Sequence, residues 1–100
     1  MVEKTLKSGA KLEMQLAEFQ DAMNLLQVWQ KTTKEAVQIF IATPEIMSAL
    51  WPCLDKCLWN KSRINAELFR DEKAREDLLE IAEEVAAFNL SPFMKHRARQ

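Results

Sequence analysis

The sequence predicts a mainly α fold with a small N-terminal β-hairpin, an α+β arrangement in which three to four helices form one compact domain. Two features carry that prediction. The chain has one Gly and three Pro in 100 residues, too few turn formers for the many short strands of an all-β domain. Its apolar residues alternate singly over 2–16 and then recur three and four apart from Ala17 onward, a change from the strand period to the helix period.

The hairpin comes first. Val2, Lys4 and Leu6 alternate with Glu3, Thr5 and Lys7, and Leu12, Met14 and Leu16 alternate with Lys11, Glu13 and Gln15. Ser8-Gly9 separates the two runs, and the lone glycine stands where a tight turn needs positive φ. A hairpin alone is marginal in water, so its apolar face is expected against the helices. Phe19, Met23, Leu26 and Trp29, with Ala22 and Leu25 beside them, give a first helix running to about Lys34. Val37, Ile39 and Ile41 then alternate with Gln38, Phe40 and Ala42. This β-branched run reads as a third strand beside the hairpin, with continued helix as the other reading. Thr43-Pro44-Glu45 opens the next helix with a capping hydroxyl, a proline at the first helical position and an acid in the first turn. Its stripe is Ile46, Met47, Leu50, Leu54 and Leu58, bent or split at Pro52 and broken at Asn60-Lys61-Ser62. Asn65 caps a short turn through Phe69, and Asp71 starts the longest helix, about Glu72 to Asn89, closed by Ser91-Pro92. Ala74, Leu78, Ile81, Val85 and Phe88 line one side of that helix; Glu76, Glu80, Glu83 and Glu84 line the other.

With 48% hydrophobic and 29% charged residues, the chain makes one folded domain with a modest core. That domain is expected over 1–94, with a basic tail over 95–100. The formal charge is −1, but the closing KHRARQ carries three positive charges, leaving −4 on residues 1–94. This balance speaks against a nucleic-acid-binding surface spread over the domain. The opening MVEKTLKSGAKLEMQ scatters charges where a signal peptide needs an apolar core, and the apolar runs fall far short of the ~20 residues that span a bilayer. A cytoplasmic setting with reduced thiols is the expectation.

The stretch LWPCLDKCLWN (50–60) poses the question of chemistry. On a helix, Cys53 and Cys57 have β-carbons about 5–6 Å apart, beyond the ~3.8 Å of a disulfide. Zinc wants about four ligands, and His96, the single histidine, sits in the tail. A redox pair prefers two intervening residues. The cysteines therefore read as core, packing as small hydrophobes. One histidine and no tyrosine reduce the acid–base candidates to carboxylates and lysines. Pairs such as Glu83 and Glu84 lie on a regular solvated helix face, and one glycine cannot build a glycine-rich phosphate loop. No catalytic, metal-ligating or cofactor-binding residue is assigned, and no cofactor is expected.

Protein binding is the class that remains. Trp29, Trp51, Trp59 and the five methionines are residue types that interfaces favour, though a core of this size uses them too. Phe40, Leu79 and Trp59 lie beyond the obvious core stripe and form a surplus for a partner or a second copy. In NLSPFMKHRARQ (89–100), Phe93 and Met94 precede Lys95, Arg97 and Arg99. They make an apolar anchor with a basic arm for an acidic partner surface, or, in the plainer reading, a clasp on the core before a disordered tail.

Four stretches, TLKSGAKLEMQ, AEFQDAM, LWPCLDKCLWN and AREDLLEIAEEVAAFNLSPF, together give a layout that resembles the small tail assembly chaperones of long-tailed (siphovirus) bacteriophages. The resemblance spans most of residues 2–94, and its motifs are structural. It implies a mainly helical, self-associating, non-catalytic protein that keeps the tape measure protein soluble during tail assembly and helps recruit tail tube protein. Such a protein works in the host cytoplasm, is not retained in the virion and is commonly made also in a longer, frameshifted form. The family supplies no functional side chains to carry over, and the basic tail matches nothing in it. On physical grounds the expected contacts are Trp59, Phe93 and Met94 as apolar groups and Lys95, Arg97 and Arg99 as charged ones. Apolar grooves with a charged rim suit a long helical client; neither membrane nor nucleic acid is expected as a partner. The alternative is a small helical regulatory or DNA-binding protein, which needs a helix offering several Lys or Arg to the major groove. The longest helix instead carries six acids against Lys73 and Arg75 within 72–88.

Overall fold

A computed structural model describes residues 1–31 and 44–98, the side chains of 30–31 and 94–98 excepted. Its elements are β1 (Val2–Thr5), β2 (Lys11–Met14), α1 (Phe19–Lys31), α2 (Pro44–Leu54), β3 (Leu58–Trp59), β4 (Ser62–Arg63), a 3-10 turn (Leu68–Arg70) and α3 (Glu72–Ala98). Among the described residues this is three helices with one small antiparallel sheet, the class that the sequence predicts. The candidate strand over 37–41 lies outside the described residues.

Two hairpins build the sheet, in the order β1-β2-β3-β4. In the first, the Leu6 N–H donates to Ala10 O at 2.8 Å and the Gly9 N–H to Leu6 O at 2.9 Å. Gly9 takes φ +95°, a conformation that costs a side-chain-bearing residue energy and glycine nothing. The second hairpin turns through Asn60 (φ 47°) and Lys61 (φ 69°), a tight turn whose positive φ angles match the twist of the strands it joins. Asn60 also ties the hairpins together. Its N–H donates to Lys11 O, and its Oδ1 accepts from the Lys11 N–H, both at 2.8 Å.

The second hairpin corrects the sequence reading, which ran the helix after Pro44 on through Leu58. Instead α2 ends at Leu54. Pro52 is not the point of a split; it falls in the last turn of α2, where the amide it lacks weakens any continuation of the helix. The chain leaves the helix through short bonds from the Lys56 N–H to Cys53 O and the Cys57 N–H to Leu54 O. Leu58 and Trp59 then pair with Glu13 and Leu12. An apolar residue at helical spacing thus became a strand residue because an unpaired edge of β2 was within reach.

The expected end of α3 is corrected as well. Ser91-Pro92 does not close it; the helix continues to Ala98 and takes in positions assigned to a tail. Pro92 removes one amide donor, but packing flanks it on both sides. Leu90 is buried, and Phe93 packs partly on the core. Tertiary burial of this kind outweighs a local helix-breaking signal.

The core lies where the α3-facing side of the sheet meets the helices. Leu6, Leu12 and Met14 enter from the hairpin, Leu25 from α1, Ile46, Leu50 and Leu54 from α2, and Ile81, Val85 and Leu90 from α3. Each such Leu, Ile or Val contributes about 1.5–3 kcal/mol by leaving water. Asn65 Oδ1 accepts from the Leu68 N–H at 3.0 Å, the expected cap, and the turn it opens seats Phe69 against Trp51 with ring centroids 6.1 Å apart.

Two polar residues interrupt the buried face of α3. Asp77 and Asn89 are 5% and 2% exposed. Asp77 Oδ2 accepts from Ser8 Oγ at 2.7 Å and from Trp59 Nε1 at 2.9 Å. Asn89 Oδ1 accepts from the Ala17 N–H at 2.9 Å, while its Nδ2 donates to Val85 O at 2.9 Å. Buried polar atoms are tolerable only when satisfied. Here each satisfies a group on the N-terminal segment, so Asp77 fixes the first hairpin's turn and Asn89 fixes the link from β2 to α1.

Candidate protein-binding surface

The Asn89 anchor determines where apolar surface is left over. Leu16 and Phe19 flank the pinned Ala17 and are 54% and 70% exposed. Phe93 lies four residues beyond Asn89 on α3, on the same face one turn later. Its ring meets that of Phe19 edge-on, with centroids 6.5 Å apart and planes at 62°. Val2, which opens β1 and pairs with Met14, and Met1 just before it are also exposed. Among the described residues the large exposed apolar side chains thus come from residues 1–19, with Phe93 joining Leu16 and Phe19 from α3. Phe19 cannot bury itself because it occupies the first position of α1, before that helix's buried residues Ala22 and Leu25 begin.

The residues expected from sequence as contacts are distributed unevenly. Trp59 is buried, 8% exposed, with its indole N–H held by Asp77, and has little surface to offer a partner. Phe93 sits at the margin of the exposed cluster. Asp77 and Phe93 are both on α3, separated by about 24 Å of helix, so Trp59 and Phe93 do not lie side by side. Met94, Lys95 and Arg97 follow directly in the helical backbone of α3, and Arg99 lies outside the described residues. Sequence reasoning missed Leu16 and Phe19. Periodicity put Phe19 on a helix stripe and carries no information about where the neighbouring helices stop. Sequence reasoning also missed Asp77 and Asn89; the signal that finds them is their phase with Ala74, Ile81 and Val85 on the buried side.

The thiols of Cys53 and Cys57 are fully buried. Burial, with Asp21 and Cys57 nearby, pushes the Cys53 thiol up to about 11, and burial likewise raises Cys57. A protonated, inaccessible thiol is a poor nucleophile and a poor metal ligand. Among the described residues no group of three or more His, Cys, Asp or Glu side chains is placed to hold a metal ion, and no helix is long and apolar enough to cross a membrane.

Charged groups stitch the margins. Arg63 grips Asp55 through Nε at 2.9 Å and Nη2 at 3.0 Å, which lowers the Asp55 carboxyl and raises the guanidinium. Lys4 on β1 pairs with Glu84 on α3, and that hydrogen bond raises the lysine. Beside this pair runs a groove of about 580 Å³ between the first hairpin, α1 and α3, lined by Lys4 and Lys7, by Trp29 and by Glu80, Glu83 and Leu90. Set beside known protein families, curated proteins and solved structures, the chain matches none of them.

Proposed function

We propose that this chain is a non-catalytic protein-binding factor, a phage tail assembly chaperone that keeps a tape measure protein soluble, and that its client rests on the surface made by Leu16, Phe19 and Phe93. The observation that carries the reading is the Phe19–Phe93 pair, which holds an aromatic ring 70% exposed at the protein surface. Exposed aromatic clusters of this kind are expensive in water and are characteristic of contact surfaces. A helical client with apolar residues at three-and-four spacing would cover both rings at once. Lys95, Arg97 and Arg99 follow Phe93 closely in the sequence, which supports a charged margin to the client surface that keeps the complex soluble. Self-association through the same surface belongs to this reading, as does recruitment of tail tube protein.

Co-expression with a tape measure protein tests it. The wild-type chain should raise the soluble yield of the client, and Phe19→Ser should remove that gain. Because Phe19 is largely exposed, the substitution should cost the chaperone itself about 1 kcal/mol or less. An unchanged client yield with the wild-type chain sinks the proposal.

A further inference from the structure

A second surface rests on a different observation, the outer edge of β1. The Leu6 N–H donates to Ala10 O directly opposite, and hydrogen-bonded pairs alternate along an antiparallel ladder. With the register Val2↔Met14 and Lys4↔Leu12, the inward-bonding residues of β1 are Val2 and Lys4. Glu3 and Thr5 therefore direct their N–H and C=O groups away from β2. The same alternation reaches Lys7, whose outward N–H is taken by the Glu80 carboxylate at 3.1 Å. Among the described residues no strand pairs with this edge. Alongside it runs the groove against α3, whose apolar lining comes from Trp29, Ala87 and Leu90.

We infer that the edge of β1 accepts an extended segment of a partner protein as an added strand, one whose residues alternate between apolar and basic. Main-chain pairing to Glu3 and Thr5 gives the register, and the groove receives alternate side chains. Charge selects a basic partner. Lys4 and Glu84 neutralise each other, which leaves Glu80 and Glu83 against Lys7 along the groove, with Glu3 on the outer face. On the outer face Glu3 stands directly opposite Glu13, and Lys61 meets Glu13 at 3.2 Å, so a Lys or Arg on the incoming strand would pair with Glu3. A second copy of the chain is a poorer occupant. Antiparallel self-pairing keeps each face on its own side, so registers centred on this strand set Glu3 against Glu3 or Lys4 against Lys4 of the second copy.

The test is amide exchange and chemical-shift titration on the full chain with a blocked peptide of alternating Val and Lys, and a Val and Glu peptide as its counterpart. The Val/Lys peptide should slow exchange at Glu3 and Thr5 and shift Glu80 and Glu83; the Val/Glu peptide should bind about tenfold or more weakly. Thr5→Pro, which removes an outward donor at an edge position where proline is tolerated, should abolish the slowing. Glu83→Lys, at an exposed helix position, should weaken the Val/Lys peptide about tenfold without touching the sheet. Three results overturn the inference: Glu3 and Thr5 amides already protected in the free protein, equal affinity for the two peptides, or shifts confined to Leu16, Phe19 and Phe93. Loss of client capture in Phe19→Ser is independent of these readouts, so the two proposals fail separately.

Discussion

Replacing Asp77 by Ala probes the network that joins the first hairpin, the second hairpin and α3. Its Oδ2 accepts from both Ser8 Oγ and Trp59 Nε1. Hydrogen bonds to a carboxylate contribute about 1.5 kcal/mol or more each. Ser8 is exposed and can turn to water, so its share is the smaller. The indole N–H of Trp59 is buried and would be left without an acceptor, a cost of about 1–3 kcal/mol. Together these give a loss of about 3 kcal/mol, or roughly 15 °C in Tm for a domain of this size. Trp59→Phe removes the donor while keeping most of the ring, and should cost about 1–2 kcal/mol. The decisive quantity is the coupling. In the double variant no orphaned indole remains, so the combined loss should fall short of the sum by about 1–2 kcal/mol. Urea unfolding at neutral pH, monitored by far-ultraviolet circular dichroism, measures all three. Strict additivity, or a loss under about 1 kcal/mol in Asp77→Ala, would show that Trp59 and Asp77 do not share a bond in the folded protein.

Asn89→Leu keeps bulk but leaves the Ala17 N–H without its acceptor; the expected cost is about 1–3 kcal/mol, read from urea midpoints. Gly9→Ala should cost about 1–2 kcal/mol, and the whole of it should come from backbone conformation. Gly9 has φ +95°, and an added Cβ meets nothing within 4 Å, so Gly9→Asn should recover part of the loss in a thermal melt. Cys53 gives a pH signature. Its folded-state pKa of about 11 lies above the ordinary 9.0. The stability from keeping the thiol neutral is therefore complete below pH 9 and lost as pH rises through 11, by about 2–3 kcal/mol in all. Stability of the wild type minus that of Cys53→Ala, tracked by urea midpoints across that window, should fall by this amount; a difference that stays flat with pH removes the burial argument.

The sequence by itself determined the local structure. Alternation around a single glycine gave the first hairpin, Thr43-Pro44-Glu45 placed the start of α2, and Asn65 and Asp71 marked the turn and the start of α3. Each rests on interactions within a few residues, and such signals are written in neighbouring letters. The cysteines were also legible as core, because spacing and the lack of further ligands are properties of the chain alone. Only the tertiary structure decided the places where a distant partner outweighed the local preference. Leu58 keeps a helical period, yet β2 offered backbone groups for Leu58 and Trp59 to pair with. Ser91-Pro92 reads as a stop, yet burial of Leu90 and partial packing of Phe93 carried the helix past it. Trp59 turned inward to Asp77, while Phe19, in phase with a buried stripe, was left in solvent at the end of the packing. A side chain's exposure depends on which elements end beside it, and that information is absent from the order of the residues until the chain has folded.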